Sequence, residues 1–524
     1  MRTINPLFST VIAGQVALML GGCMVGPDFV KPDPEAPEAW RDHMRNESES
    51  RPVARALDPQ WWTIFGDPIL AGLVSRAAAQ NLDIQVAASR LQQSRWQRRI
   101  VSSAWLPSVG ANASAQRMGA SENGLMSLTG VGSQPPAAAL ANGVGNGVAG
   151  ISGADISAPL NLYQYGFDAI WELDIWGKTR RNVEAADALS TASDEVRHGV
   201  ILSVISETAS DYVQLRTVQA TLDDTRETLG LVRRSLELTE RRRDAGAATS
   251  LEVSEASAQV QAVSARIPDL ESREGKLINA LSLLLAEEPG ALENELKTAK
   301  PIPPVPSEVP VGLPSELAKR RPDIREAEAR LHAATADIGA AKADFYPSVT
   351  LSGSFGMQSL NFATLGTWAA RQFAIGPTLT LPIFEGGRLT GMLHLREAQQ
   401  REAALDYQKT VLTAWHEIDD ALIDFDARQR QRDNLAAALE HSRAAYDAAV
   451  ARYKAGASTF LDVLVLQQAF VEAQTNWVTA NGDVSLTAIR LYKALGGGWE
   501  SIPSSGAATN ESGTNAEPLK PGGG

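Results

Sequence analysis

Apolar and polar side chains alternate at every second position in four stretches of the chain. In the clearest one, Tyr163 to Ile175, the odd positions are apolar or aromatic, whereas the even positions include Gln164, Asp168 and Glu172. Phe373 to Phe384 alternates in the same way, and the two remaining stretches cover residues 108–116 and 348–357. A period of two is typical of a strand whose faces meet different surroundings. The pattern therefore predicts four strands, each with one apolar face and one polar face.

Two long segments without proline follow these strands. They run from Arg180 to Ala245 and from Arg388 to Ala455, and their apolar residues recur at steps of three and four. This spacing predicts long helices that pack as coiled coils. Each ends at an Ala-Gly pair and is followed by a returning helix, Leu251 to Leu285 or Leu461 to Leu495. We expect Pro268 to kink only the first returning helix, because proline disrupts helix interiors.

The chain contains two related halves. Asn81 to Ser114 aligns without a gap on Arg321 to Ser354, and Ala245 to Val253 aligns on Ala455 to Val463. The repeating unit is thus half of the protein, made of a helix, a β-hairpin and a long helical hairpin.

The arrangement of the strands favours a membrane barrel over a soluble β-sandwich. A soluble β-sandwich also alternates, but here the strands form only two hairpins between very long helices, and Trp171 and Trp176 near a strand end suit a membrane interface. Single-chain membrane barrels begin at eight strands, so four strands cannot enclose a water-filled lumen. Several copies must therefore close the sheet.

The first residues have the features of a bacterial signal peptide, with an early Arg2 and an apolar run before Cys23. Cys23 is the only cysteine in the sequence, which excludes a disulfide within the chain. Its position predicts a lipobox, in which Cys23 becomes the lipidated first residue. The alternative is a chance cysteine after an ordinary signal peptide.

Composition and motifs delimit six segments and exclude several functions. We expect a signal peptide (1–22), a lipidated N-terminal segment (23–70), a first repeat (71–300), a proline-rich linker (301–314), a second repeat (315–497) and a disordered tail (498–524). A Gly-, Ala- and Ser-rich stretch from Gly119 to Asp155 predicts a long loop in the first β-hairpin.

The net charge of −13 argues against nucleic acid as a partner. The sequence shows no catalytic motif and no histidines at metal-ligand spacing, so we expect neither an enzyme nor a metal site.

Five motifs together resemble the TolC-like outer-membrane factors, specifically the NodT/OprM-type lipoproteins of resistance-nodulation-division efflux systems. They are Cys23 to Phe29 (CMVGPDF), Trp61 to Leu70 (WWTIFGDPIL), Trp171 to Gly177 (WELDIWG), Leu381 to Arg388 (LPIFEGGR) and Arg452 to Gly456 (RYKAG). The resemblance implies an α+β membrane protein: a trimer with a twelve-stranded β-barrel, four strands per chain, continued by a long α-helical coiled-coil tunnel in the periplasm.

The same resemblance implies roles for the two turns between the helices. Leu251 and Leu461 would form an apolar constriction, with Glu252, Glu255 and Asp462 at its mouth, and Val465 stands where relatives carry an acidic residue. The residues expected at the tips that contact the adaptor are Gly246, Thr249, Gly456 and Thr459. The ordinary alternative is that the leucines belong to a helical core and the acidic residues complement helix dipoles.

The resulting hypothesis is a passive exit duct for drugs or other small amphiphiles, located in the bacterial outer membrane with a lipid on Cys23 and no other cofactor. Its expected partners are two further copies, outer-membrane lipid, a periplasmic membrane-fusion adaptor and an inner-membrane resistance-nodulation-division pump. A non-conducting structural or adaptor lipoprotein and an exit duct for type I protein secretion remain as alternatives.

Overall fold

The computed structural model describes residues 24–33, 39–41, 49–119 and 159–502. Its strands and α-helices, in chain order, are β1 (Arg51–Val53), α1 (Pro68–Gln80), α2 (Leu82–Ser102), β2 (Ser108–Met118), β3 (Leu160–Leu173), α3 (Lys178–Asp244), α4 (Ser250–Ser264), α5 (Arg266–Leu284), α6 (Glu293–Leu296), β4 (Glu308–Pro310), α7 (Leu317–Arg320), α8 (Pro322–Ala343), β5 (Ser348–Ser359), β6 (Arg371–Thr380), α9 (Arg388–Lys454) and α10 (Phe460–Leu495). The described residues form two compact units: unit 1 holds those within Met1–Val30, Arg95–Ala188 and His332–Arg401, and unit 2 holds those within Lys31–Ser94, Leu189–Leu331 and Glu402–Gly524.

Unit 1 contains an antiparallel sheet with the strand order β2-β3-β5-β6. Pairing is continuous, and Phe167 on β3 lies opposite Phe355 on β5, which lies opposite Phe373 on β6. Directly opposed residues share a face, so odd-numbered positions line one face and even-numbered positions line the other. The four predicted strands and their alternation are confirmed.

Two strands end earlier than the alternation predicts. β3 ends at Leu173 because the next residue, Asp174, turns the chain: its carboxylate accepts the backbone N–H groups of Thr179 and Arg180, both at 3.0 Å. β6 ends at Thr380, shortly before Pro382, which has no N–H to donate to a ladder. Side-chain periodicity does not detect such ends.

Unit 2 contains most of the residues of two long helices, α3 and α9. α3 and α9 contain 67 residues each, which confirms the two predicted proline-free helices. Their apolar stripes are buried, including Ile201, Ile205 and Leu215 on α3. The first returning helix is divided at Ala265 into α4 and α5, with Pro268 in the first turn of α5, whereas α10 is continuous. The predicted difference between the two returning helices is therefore confirmed.

Trp61 connects two distant segments of unit 2. It is fully buried, its ring stacks on Tyr492 with centroids 5.2 Å apart, and its Nε1–H donates to the carbonyl of Gly497 at 3.1 Å. These contacts join the segment before α1 to the end of α10. The proline-rich residues 301–314 also contact the segment before α1, because they contain β4, which pairs in parallel with β1.

No described helix is long and apolar enough to cross a membrane. The predicted signal peptide, Cys23, most of the predicted loop between β2 and β3 and nearly all of the predicted tail lie outside the described residues.

Candidate functional site

The sheet of unit 1 separates apolar from polar side chains. The odd-numbered face carries exposed apolar residues on each strand, among them Val109, Phe167, Phe355 and Ile375, the last of which is 79% exposed. The even-numbered face is mostly polar or small, and its residues on β5 are Ser348, Thr350, Ser352, Ser354, Gly356 and Gln358. One face thus suits lipid and the other suits water.

All helix connections leave this sheet at one end. β2 and β5 follow α2 and α8, and β3 and β6 lead into α3 and α9. The opposite end, at Met118, Leu160, Ser359 and Arg371, is the hairpin-loop end of the sheet. On the polar face, the side-chain amide of Asn112 donates to the Asp168 carboxylate. The polar face therefore holds an ordered carboxylate between the two ends of the sheet.

The turn between α3 and α4 is fixed by its own backbone. Gly246 adopts a φ of 75°, and the N–H groups of Gly246 and Ala247 donate to the carbonyls of Arg243 and Arg242 at 2.8 and 2.7 Å. This is a Schellman motif, which requires a left-handed residue after the helix. Thr249 then caps α4 in a reciprocal capping box with Glu252.

The turn between α9 and α10 repeats this arrangement. Gly456 has a φ of 74°, and Thr459 and Asp462 form the second capping box. Hydrogen bonds from the Thr459 backbone N–H and hydroxyl to the carboxylate hold the pKa of Asp462 below its usual value. The tip residues predicted from the resemblance thus have clear local roles in building two equivalent turns.

The structure separates the predicted gate residues by their surroundings. Leu251 and Leu461 are 65% and 58% exposed, whereas the neighbouring Phe460 and Val463 are buried in the hairpin core. Val465 is 54% exposed, and Glu255 lies one turn after Glu252 on α4. The two leucines are therefore not core residues of the single chain, while Glu252 and Asp462 complete the capping boxes of Thr249 and Thr459.

A contact that the sequence did not predict joins the two helical hairpins near these turns. The guanidinium of Arg242, at the end of α3, lies 4.3 Å from the ring centroid of Tyr453 on α9 and also donates to its carbonyl. Tyr453 belongs to a buried cluster whose members include Ala256, Tyr446, Phe460 and Phe470. Tyr453 belongs to the Arg-Tyr-Lys-Ala-Gly motif, which was the only signal for this contact in the sequence.

A charged cavity of about 530 Å³ lies between helices of unit 2. Its charged lining residues are Arg321, Asp323, Glu417, Asp420, Asp424, Arg490 and Lys493. Arg321 is almost fully buried and binds Asp323 and Glu417 at 2.6 and 2.7 Å. Part of this charge is therefore neutralised within the chain.

The carboxyl group of Asp211, on α3, has a pKa raised to about 6, because burial disfavours its charged form and Glu207 lies nearby. Between pH 3.8 and about 6 the folded chain binds more protons than the unfolded chain, so stability falls as the pH rises through this window. We expect Asp211→Asn to stabilise the protein at pH 7 by up to about 2 kcal/mol and to have no such effect near pH 3.5. Thermal unfolding at both pH values checks this.

The matched control is Asp223→Asn, which changes an exposed carboxylate on the same helix. Equal shifts of the unfolding midpoint for both variants at pH 7 would contradict the prediction that the charged form of Asp211 destabilises the fold.

The residues after Cys23 bind closely to unit 1. Met24 packs on Gly177, the Val25 N–H donates to the Trp176 carbonyl at 3.1 Å, and Arg181 binds Asp28 at 2.7 Å. A Cβ on Gly26 would lie 2.4 Å from the Cα of Gly339. This segment, residues 24–29, therefore has a defined seat beside the end of β3.

The residues that the structure describes contain no group of three His, Cys, Asp or Glu side chains that could hold a metal ion.

Comparison with known proteins agrees with this arrangement. The family model for the outer membrane efflux protein matches residues 73–287 and 313–497. The outer membrane protein OprJ of Pseudomonas aeruginosa is 30% identical, over 95% of this chain and 97% of its own length. The toluene efflux pump outer membrane protein TtgC of Pseudomonas putida is 31% identical, over 92% of this chain and 94% of its own. The solved structure of the outer-membrane channel OprN is similar with a TM-score of 0.79 and 31% identity, over 91% of this chain and all of that one. The chain belongs to the outer membrane efflux protein family and is an outer-membrane component of an efflux pump.

Proposed function

We propose that three copies of the chain close a twelve-stranded barrel in the outer membrane. The supporting observation is the pair of sheet edges: β2 and β6 have no partner strand on their outer sides among the described residues. An open edge in lipid leaves backbone N–H and C=O groups unsatisfied, which costs several kcal/mol per group. Pairing β6 of one copy with β2 of the next satisfies both edges.

The helices continue this barrel as a tunnel through the periplasm. At about 1.5 Å per residue, a helix the length of α3 or α9 extends about 100 Å. The three- and four-residue spacing of its apolar side chains fits coiled-coil packing with neighbours.

The assembly acts as a passive exit duct for drugs or other small amphiphiles. The single observation that carries this function is the sheet with one exposed apolar face and one polar face, because three such sheets enclose a water-filled lumen. A periplasmic membrane-fusion adaptor and an inner-membrane resistance-nodulation-division pump supply the cargo and the energy. The name of the relative TtgC describes a toluene efflux pump, which is consistent with export of small organic molecules.

The two helical turns form the periplasmic mouth. Leu251 and Leu461 make its apolar constriction, which their exposure in the single chain permits. Glu252, Glu255 and Asp462 place three carboxylates per chain beside it, and rings of carboxylates attract cations. The adaptor contacts the tips at Gly246, Thr249, Gly456 and Thr459. The backbone of these tips is already fixed in the single chain, so binding does not have to order it.

A lipid on Cys23 anchors each chain. The seat of residues 24–29 supports this, because it holds Met24 beside Gly177, shortly after β3, where a lipid attached to the preceding residue reaches the membrane. Radiolabelled palmitate should enter the wild-type chain and not Cys23→Ala. Equal labelling of both would contradict lipidation at this residue.

Accumulation of a fluorescent dye tests the duct. Cells that lack their own outer-membrane efflux component but express the chain with its adaptor and pump should accumulate less dye than cells with the adaptor and pump alone. Unchanged accumulation, with the trimer present in the outer membrane, would favour a structural lipoprotein. Secretion of a protein substrate without any effect on the dye would favour type I secretion.

A further inference from the structure

Charges on the four strands of unit 1 are segregated by sign. The charged residues of β2, β3, β5 and β6 are Arg117, Asp168, Glu172 and Arg371. Arg371 lies opposite Met357, which lies opposite Tyr165, and Arg117 lies opposite Asn161. Both arginines are therefore on the odd-numbered apolar face, and both carboxylates are on the polar face.

The two arginines also lie at the same end of the sheet. Arg371 is the first residue of β6, and Arg117 is the last but one of β2, so both lie at the hairpin-loop end. This inference rests on the proposed barrel, in which the apolar face meets lipid and the loop end meets the outer leaflet. An arginine on the lipid-facing surface there places its guanidinium among lipid head groups.

Exposed aromatic side chains lie at this end of the sheet. The guanidinium of Arg371 lies 4.5 Å from the ring centroid of Trp368 and donates to its carbonyl at 2.8 Å. Trp368 is 68% exposed, and Phe362, which is 70% exposed, packs edge-on against Tyr163. Exposed aromatic rings of this kind are typical of a membrane interface.

Neither arginine has a carboxylate partner in the described part of the chain. β2 and β6 are the edge strands of the sheet, so closure of the proposed barrel puts Arg371 of one copy on the strand next to the one that carries Arg117 of the next. Two guanidinium groups near one seam, neither of them paired with a carboxylate among the described residues, favour a doubly charged anion, and arginine binds phosphate through paired N–H groups.

We propose that the loop end of this apolar face binds a phosphorylated lipid of the outer leaflet. Arg117 and Arg371 bind its phosphate groups at each seam between copies, and Trp368 and Phe362 contact its apolar part. The lipid thereby joins neighbouring copies on their outer surface.

The thermal unfolding midpoint of the purified full chain in detergent tests this. Diphosphoryl lipid A should raise the midpoint by several degrees in the wild type and in Arg95→Gln, which removes an exposed arginine of α2. The rise should be at most half as large in Arg117→Gln/Arg371→Gln and should recover at least partly in Arg117→Lys/Arg371→Lys. Dephosphorylated lipid A and inorganic phosphate should each have little effect.

Equal rises in the wild type and the double glutamine variant would overturn the proposal, as would an equal rise with dephosphorylated lipid A. An equal rise with inorganic phosphate would show an ion site and not a lipid site. A wild type that exports dye but shows no lipid effect would refute this inference and leave the duct standing. A chain that never enters the membrane would contradict both.

Discussion

Ile375→Lys is expected to abolish insertion of the assembled protein into the outer membrane. Ile375 lies on the apolar face of β6 and is 79% exposed in the single chain. In the proposed barrel this position faces lipid at mid-membrane depth, where a lysine costs about 2–4 kcal/mol, and the three chains carry this cost three times. We expect the outer-membrane fraction to lose its trimer band on unheated gels and the cells to lose dye export.

Thr378→Lys is the matched control, because Thr378 lies three residues further along the same strand on the polar face. A lysine there enters water, so trimer and export should both persist. Loss of the trimer in both variants, or in neither, would contradict the assignment of the two faces.

Trp61→Ala is expected to destabilise unit 2 strongly. The substitution removes a fully buried indole, its stack on Tyr492 and its hydrogen bond to the carbonyl of Gly497. Truncation of a buried tryptophan costs about 3–5 kcal/mol. The detachment of residues 50–65 from the end of α10 should appear as faster proteolysis of this segment and a lower unfolding midpoint.

Trp61→Phe provides the graded comparison, since it keeps an aromatic ring against Tyr492 and loses the N–H donor. Its cost should be smaller, about 1–2 kcal/mol, from the unpaired Gly497 carbonyl and the reduced packing. A Trp61→Ala variant as stable as the wild type would show that the WWTIFGDP motif serves a role other than holding unit 2 together.

The sequence predicted the elements that follow from local periodicity. Strand faces depend on alternate residues, and helix length depends on a continuous three- and four-residue spacing, so Tyr163 to Leu173 and the two 67-residue helices were recognisable. The break near Pro268 followed from the chemistry of a single residue. The motifs Thr-x-x-Glu and Thr-x-x-Asp are present in the sequence, but the capping boxes that they form at Thr249 and Thr459 were not predicted, and Glu252 and Asp462 remain proposed gate residues.

Contacts between distant parts of the chain could not be predicted in this way. Arg242 meets Tyr453, and Trp61 meets Tyr492, across hundreds of positions. Nothing in the local pattern around Gly26 indicates that its Cα lies against Gly339. Such contacts depend on how the two halves pack, and composition or spacing within one half does not determine that packing.

Single-channel recording in planar bilayers tests the central claim, which is that three chains together form a conducting duct. The proposed trimers should give small, cation-preferring current steps, because the proposed constriction is apolar and the polar sheet face carries Asp168 and Glu172. Leu251→Ala/Leu461→Ala should increase the conductance several-fold by widening the constriction. Inserted, intact trimers that pass no current in either the wild type or the double variant would contradict this claim.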